Sequence, residues 1–224
     1  MKKILAVLLP AFLFLGLYAC DKTGGETGAW EGLRGGFTRT GSDRYGSGTL
    51  QALYLGNGCV LFEFRLMEGG ESENPARDIV LPFVMFIDDE GLGQYESGSE
   101  APLKITVALS GDGKTAAVTH AGEMPISCDG VYRFNENGLD ISAVTAAALL
   151  EHLPTAATSL NHNLGDYTIT CGEERIEESF YPMEAVFDDT GAVLAKFLAA
   201  RDLSAVYRVD DDIEPVLIFG SAQP

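Results

Sequence analysis

The chain has 224 residues, with 15 basic and 33 acidic side chains, and a formal net charge of −18 at pH 7. Its hydrophobic fraction of 46% is ordinary for a globular protein and excludes a disordered acidic tail. The acidity also argues against a nucleic-acid partner, because a surface must be basic to displace counterions from phosphates.

The first twenty residues have the pattern of an export signal. Lys2 and Lys3 precede an apolar run over residues 4–18, and a small residue, Ala19, follows it. The run is short for a permanent membrane-spanning helix. The sequence Leu17-Tyr18-Ala19-Cys20 resembles the lipobox of bacterial lipoproteins. The resemblance implies that residues 1–19 are removed and that Cys20 then carries lipid on its sulfur and its amine. Several acyl chains give stable anchoring, so we expect attachment to a membrane of the bacterial cell envelope, facing the periplasm or the exterior.

The exported part is more acidic than the whole chain. Removing Lys2 and Lys3 leaves 13 basic and 33 acidic residues, and therefore a net charge of −20. Such a surface attracts cationic partners, although solubility alone also accounts for it. Residues 20–29 are rich in Gly and Thr and predict a tether. Trp30 follows in a glycine-rich setting, where it either contacts a ligand or packs onto the domain.

Three further cysteines remain after the leader. They are Cys59, Cys128 and Cys171, and an oxidising envelope favours one disulfide among them. The three pairings stay open at this level. No CxxC or Cys/His spacing of a zinc site is present, so we expect no metal and no cofactor.

Residues 30–136 predict a β-rich domain, either a sandwich or a barrel. Val60, Phe62, Phe64 and Leu66 alternate with polar positions, which indicates one buried strand face. Segments 103–109 and 114–120 flank a Gly-Asp-Gly turn and predict a hairpin. Pro82 interrupts the apolar run 79–87, which indicates an edge strand or a kinked one.

Residues 139–222 predict an α+β domain, after the turn-forming residues 135–138. Apolar residues at helical spacing over 142–153 predict one helix, capped by Asp140 or Ser142 and ended by Pro154. Strand patterns follow at 167–171, 179–187, 203–209 and 216–219. Segment 192–200 is compatible with helix or strand, and its position after a tight turn favours a strand.

The sequence offers no recognisable catalytic motif. Its three histidines, His120, His152 and His162, show no metal-binding spacing, and neither a GxSxG elbow nor a phosphate-binding glycine loop is present. Acidic clusters at 88–90, 173–178 and 210–212 read as solvated turns rather than as calcium ligands or a glycosidase pair. We therefore predict no catalytic residues.

These observations together predict a lipid-anchored envelope protein that acts as a non-catalytic binding module. The −20 charge suggests a basic envelope protein, such as a lysozyme, as the partner, which the chain would inhibit or sequester. Two alternatives stay open. One is a carbohydrate-active enzyme with paired carboxylates, and the other is a structural subunit of an envelope complex.

Overall fold

The computed structural model of the chain describes residues 32–41, 46–69, 77–98, 101–135, 137–171, 179–209 and 214–220. The chain divides into two compact units, Met1–Leu139 and Asp140–Pro224. The mostly antiparallel β-fold expected from the sequence is confirmed, with a large sheet in the first unit and a smaller sheet with helices in the second. The predicted signal peptide (1–19) and tether (20–29) lie outside the described residues.

The first unit is one eight-stranded antiparallel sheet. Its strands are β1 (Arg34–Arg39), β2 (Ser47–Gly56), β3 (Cys59–Glu68), β4 (Arg77–Phe86), β5 (Leu92–Glu96), β6 (Lys104–Leu109), β7 (Thr115–Ala121) and β8 (Gly130–Phe134). Their order in the sheet is β4-β3-β2-β1-β8-β7-β6-β5, so chain neighbours pair within β1–β4 and within β5–β8, and β1 pairs with β8. A bridge between Ile87 and Gly93 brings the two edge strands together. The sheet is therefore nearly closed and barrel-like, which decides between the barrel and the sandwich.

Two local predictions for this unit are confirmed. Strand β4, which contains Pro82, is an edge of the sheet, where one side of the backbone has no strand to pair with and a missing N–H is tolerated. Strands β6 and β7 form the expected hairpin, closed by the hydrogen bond from the Ser110 amide to the Thr115 carbonyl.

The interior of the barrel-like sheet is filled with side chains. The alternating residues of β3 are buried as predicted, and they join aromatic rings from other strands. The largest of these fully buried side chains are Phe37, Phe62, Phe64, Phe83 and Tyr132. The other face of β3 is also covered, since the Glu63 side chain is 0% exposed and lies 2.5 Å from the Arg65 guanidinium. Alternation thus identifies the interior face, while burial extends to both faces of this strand.

The second unit is a five-stranded antiparallel sheet with two helices. The elements are α1 (Ala143–Glu151), α2 (Pro154–Leu160), β9 (Tyr167–Cys171), β10 (Phe180–Phe187), β11 (Val193–Ala200), β12 (Ala205–Val209) and β13 (Val216–Gly220). The strands follow one another in chain order across the sheet, and α1 packs against β9 and β10. Segment 192–200, for which a strand was favoured, forms strand β11.

Both ends of the predicted helix are now defined. The Ser142 hydroxyl accepts the Thr145 amide at 3.2 Å and caps α1, whereas Asp140 instead pairs with Arg201 at 2.9 Å. The expected end at Pro154 is wrong in one respect. Helix α1 ends at Glu151, and Pro154 begins the second helix, where its missing N–H is one that a helix start leaves unpaired anyway. Neither helix has the length and hydropathy that crossing a membrane requires, as judged over the described residues.

Candidate functional site

The structure locates only part of the predicted site residues. Cys20 and Trp30 lie outside the described residues. Cys128 and Cys171 are in no disulfide, while Cys59, at the start of β3, is disulfide-bonded. The partner of Cys59 is therefore neither Cys128 nor Cys171. The disulfide that we expected among these three cysteines is thus not formed between any two of them.

The acidic clusters are only partly visible. Residues 173–178 and 210–212 lie outside the described residues. In the turn between β4 and β5, the Asp88 carboxylate accepts the Leu92 amide at 2.7 Å, while Asp89 and Glu90 are exposed. Asp88 therefore stabilises the turn, and its two neighbours are solvated.

One group of chemically reactive side chains does come together in the first unit. His120, Cys128 and Asp129 offer a ring nitrogen, a sulfur and a carboxylate oxygen that all lie within 4.8 Å of one another. The Asp129 carboxylate oxygen Oδ1 is 2.8 Å from His120 Nδ1 and also accepts the His120 backbone amide at 2.7 Å. We call these three residues the His–Cys–Asp cluster.

The cluster is held by the connection between β7 and β8. Gly122 turns the chain after β7 with a φ of +99°, and a Cβ there would lie 2.7 Å from the Pro102 carbonyl oxygen, so the position requires glycine. The connection then returns to the core, where the Tyr132 hydroxyl donates to the Cys128 carbonyl at 2.8 Å. The Asp129 amide donates to the Ser127 hydroxyl at 3.2 Å. Backbone contacts therefore fix both Cys128 and Asp129.

The environment of the three side chains differs sharply. The Cys128 side chain is fully buried, whereas the His120 and Asp129 side chains are 15% and 49% exposed. Burial, reinforced by the Asp129 charge, raises the pKa of the Cys128 thiol to about 12. A protonated and inaccessible thiol is a poor nucleophile, so the cluster as it stands does not resemble an activated cysteine.

Arg39 is the positive group beside the cluster. Its guanidinium donates to the Ser127 carbonyl at 3.3 Å, and its charge acts on Cys128. The cluster is therefore a thiol, an imidazole and a carboxylate next to one guanidinium.

Sequence reasoning missed this cluster because its spacing matches no motif. The signal lies in the hairpin register instead. Val118 pairs with Gly130 in the β7–β8 ladder, and continuing that register by two residues brings His120 opposite Cys128. A predicted β7–β8 pairing would have placed the two side chains together, whereas inspection of spacing alone does not.

A second polar group lies at the end of α1 in the second unit. Burial, with a smaller contribution from the Asp188 carboxylate, raises the pKa of Glu151 to about 7. The neighbouring His152 is buried, which lowers its pKa. The Tyr167 hydroxyl is buried without a hydrogen-bond partner in the described part of the chain, and burial raises its pKa to about 12. The group thus consists of ionisable side chains that are poorly solvated.

The remaining histidine has a packing role. The His162 ring lies 5.1 Å from the Phe187 ring, centroid to centroid, and it belongs to neither group.

Comparison of the chain with protein-family models, with curated proteins and with solved structures finds no match.

Proposed function

We propose that the chain is a lipid-anchored envelope protein that acts as a non-catalytic binding module, with a basic protein as its partner. The observation that carries the proposal is the leader, in which Leu17-Tyr18-Ala19-Cys20 follows a basic start and a short apolar run. The mature charge of −20 supports a cationic partner, since opposite charge raises the rate of encounter.

The packing of the first unit supports binding at the surface rather than inside the sheet. Small-molecule sites in barrels require interior space, as in barrels that hold one ligand. Here Phe62, Phe64, Phe83 and Tyr132 fill the interior with rings whose centroids lie 5.5–5.7 Å apart in the contacting pairs. Loops and outer faces are then the surfaces left for a partner.

The anchor is tested by labelling with a radioactive fatty acid, followed by membrane fractionation. We expect label and membrane association in the wild type, and loss of both in Cys20→Ser, because the serine cannot form the thioether. Cys171→Ser is the matched control, since Cys171 is an exposed cysteine that is in no disulfide. An unlabelled wild-type chain would refute the anchor.

Counting the alkylated cysteines distinguishes a lipid on the Cys20 sulfur from a disulfide formed by that sulfur. Cys20 is the remaining cysteine of the chain, and its sulfur cannot carry lipid and form a disulfide with Cys59 at the same time. A lipidated Cys20 therefore requires that the mature protein lack the disulfide of Cys59, and it predicts three alkylated cysteines in the denatured, unreduced protein, namely Cys59, Cys128 and Cys171. A count of two would show that Cys20 is in the disulfide and not lipidated.

The partner class is tested by pull-down with a lysozyme and with an acidic protein of similar size, at low and high salt. We expect retention of the lysozyme alone, and loss of most of it at high salt, because surface charge is screened within about 10 Å at 0.1 M salt. Absent or salt-insensitive retention would overturn the basic partner while leaving the anchor untouched.

A second candidate function is a carbohydrate-active enzyme, which one observation favours. Glu151 has a pKa raised to about 7, and the exposed Asp188 accepts the Thr168 hydroxyl at 2.8 Å. A carboxylic acid whose pKa is raised, together with a second carboxylate, is the pair of groups that glycoside hydrolysis uses. Turnover of cell-wall glycans that both Glu151→Gln and Asp188→Asn abolish would establish this function. No turnover by the wild type would exclude it.

A further inference from the structure

We propose that His120, Cys128 and Asp129 form a binding site for a divalent transition-metal ion of the Zn²⁺ class. The inference goes beyond the proposed function and rests on none of its arguments, since the cluster lies within the first unit and is independent of the leader.

The donor set selects this class of ion. One sulfur, one imidazole nitrogen and one carboxylate oxygen match the ligands that Zn²⁺ takes in proteins, whereas Ca²⁺ and Mg²⁺ require oxygen ligands throughout. With thiolate and carboxylate, the site would carry two negative charges against the two positive charges of the ion. Three protein ligands leave one position of a tetrahedral ion open to water or to a ligand from a partner.

The distances already approach those of a bound ion. Metal–ligand bonds of about 2.0–2.3 Å at tetrahedral angles place ligand atoms about 3.2–3.6 Å apart. The donor atoms of the cluster lie within 4.8 Å of one another, and the His120–Asp129 contact is 2.8 Å. Binding therefore requires movements on the order of 1 Å, with the ion replacing the direct imidazole–carboxylate hydrogen bond.

The backbone around the cluster is organised before any ion binds. The Tyr132 hydroxyl holds the Cys128 carbonyl, and the Asp129 carboxylate holds the His120 amide. Pre-organisation of this kind reduces the ordering that binding would require. Access is asymmetric, because Cys128 is buried while Asp129 is half-exposed, so an ion enters from the Asp129 side.

Burial of the sulfur distinguishes this site from a cysteine hydrolase with the same residue types. A nucleophilic sulfur must reach a substrate, and the Cys128 side chain is 0% exposed. The neighbouring Arg39 guanidinium is held by its hydrogen bond to the Ser127 carbonyl. A small ion can reach a buried sulfur that a peptide or ester substrate cannot.

The experiment is a Co²⁺ titration of the full chain, purified in detergent and freed of metal, followed by absorption spectroscopy. Co²⁺ replaces Zn²⁺ in tetrahedral sites and reports a bound thiolate through a charge-transfer band in the near ultraviolet. We expect this band in the wild type, with displacement by Zn²⁺ at equimolar amounts. Cys128→Ser should abolish the band, and His120→Ala and Asp129→Asn should each weaken Co²⁺ binding about tenfold or more.

The controls are a cysteine and a histidine that lie outside the cluster. Cys171→Ser and His162→Ala should retain the band at wild-type affinity, since Cys171 ends β9 and His162 packs on Phe187. No thiolate band in the wild type, or a band that survives Cys128→Ser, would overturn the proposal. A band lost in Cys171→Ser would overturn it as well.

A second measurement does not depend on the Cys128 variant folding. Binding to the native state alone raises stability in proportion to the logarithm of ion concentration over Kd. Zn²⁺ should therefore raise the thermal unfolding midpoint of the wild type and of His162→Ala, and raise that of His120→Ala clearly less at the same Zn²⁺ concentration. An equal rise in His120→Ala would place the ion elsewhere and refute the site.

Discussion

The ring of Phe83 on β4 lies 5.1 Å from the ring of Tyr95 on β5, centroid to centroid, across the two edges of the eight-stranded sheet. Among the described residues, backbone pairing at these edges is limited to the bridge of Ile87 with Gly93 and the hydrogen bond from the Asp88 amide to the Leu92 carbonyl. The aromatic contact therefore supplies packing where a full hydrogen-bond ladder is missing. Phe83 also contacts Phe62 and Phe64 at 5.6 and 5.5 Å. Phe83, which is 0% exposed, thus packs both on its neighbours in β3 and across the gap between the edge strands.

Removal of this ring should weaken the first unit strongly. We expect Phe83→Ala to lower the free energy of unfolding by about 3–5 kcal/mol, because a fully buried phenylalanine leaves a cavity as well as lost transfer energy. Phe86→Ala on the same strand is the control, since its side chain is 43% exposed. Urea denaturation followed by far-ultraviolet circular dichroism measures both. Equal losses in the two variants would contradict the role of the ring.

Two glycines with similar backbone angles should respond differently to alanine. Gly46 has a φ of +93°, and a Cβ there would lie 1.7 Å from the Met67 carbonyl oxygen. Gly41 has a φ of +80°, and no described atom lies within 4 Å of its Cβ position. Left-handed backbone alone costs alanine about 1 kcal/mol, which both variants share. Thermal unfolding should show Gly46→Ala clearly less stable than Gly41→Ala, and similar midpoints would show that β2 adjusts freely at Gly46.

The Arg65 guanidinium should stabilise the buried carboxylate of Glu63. The Glu63 Oε1 is 2.5 Å from Arg65 Nε. Loss of this cation removes a close opposite charge from a buried carboxylate, so we expect Arg65→Ala to cost about 2–4 kcal/mol of unfolding free energy. The exposed pair of Lys104 with Glu96 provides the comparison, and Lys104→Ala should cost less than about 1 kcal/mol. If urea denaturation shows the same free energy of unfolding for Arg65→Ala as for the wild type, other groups compensate for the loss of this cation beside Glu63.

The second unit should show a pH dependence that originates at Glu151. Its pKa is raised from 4.5 to about 7, so the native chain holds this proton more tightly than the unfolded chain. Stability is therefore lost as the pH rises through this window, and above it the buried charge remains a penalty. Glu151→Gln should raise the unfolding free energy at pH 8 by about 1–3 kcal/mol and leave it unchanged near pH 4.

The measurement is urea denaturation at several pH values, with Glu214→Gln at an exposed position as the control. Buried His152 acts in the opposite direction, because its lowered pKa costs stability as the pH falls below 6.5. The difference between wild type and Glu151→Gln removes this histidine contribution. A difference that does not vary with pH would show that Glu151 titrates normally.

Local patterns along the chain were sufficient to predict most of the strands. Three examples are the alternation around Phe62 and Phe64, the turn before β7 and the proline in β4. Each is a pattern among neighbouring residues, and the fold retains it because local backbone conformation and burial preferences determine it. The second helix was missed because Pro154 was interpreted as the end of the first helix, whereas it is the first residue of the second, and a proline is compatible with both positions.

The candidate site could not be predicted from such local patterns. His120 on β7 and Cys128 before β8 are eight residues apart and match no motif, and only the β7–β8 register brings their side chains together. The burial of Glu63 and Glu151 likewise depends on what packs against them, since nothing in their flanking residues separates them from solvated glutamates.

By itself, the sequence determined the resemblance of the leader to a lipobox, the acidity of the chain and its mostly antiparallel β-character, because each is a property of composition or of short-range order. Tertiary structure alone decided that the first sheet nearly closes, that Cys128 and Cys171 form no disulfide, and that a thiol, an imidazole and a carboxylate converge. The physical reason is that closing the sheet, forming a disulfide and assembling the cluster all require contacts between residues that are distant in the chain. Strand register and side-chain packing determine such contacts, whereas local conformational preference does not.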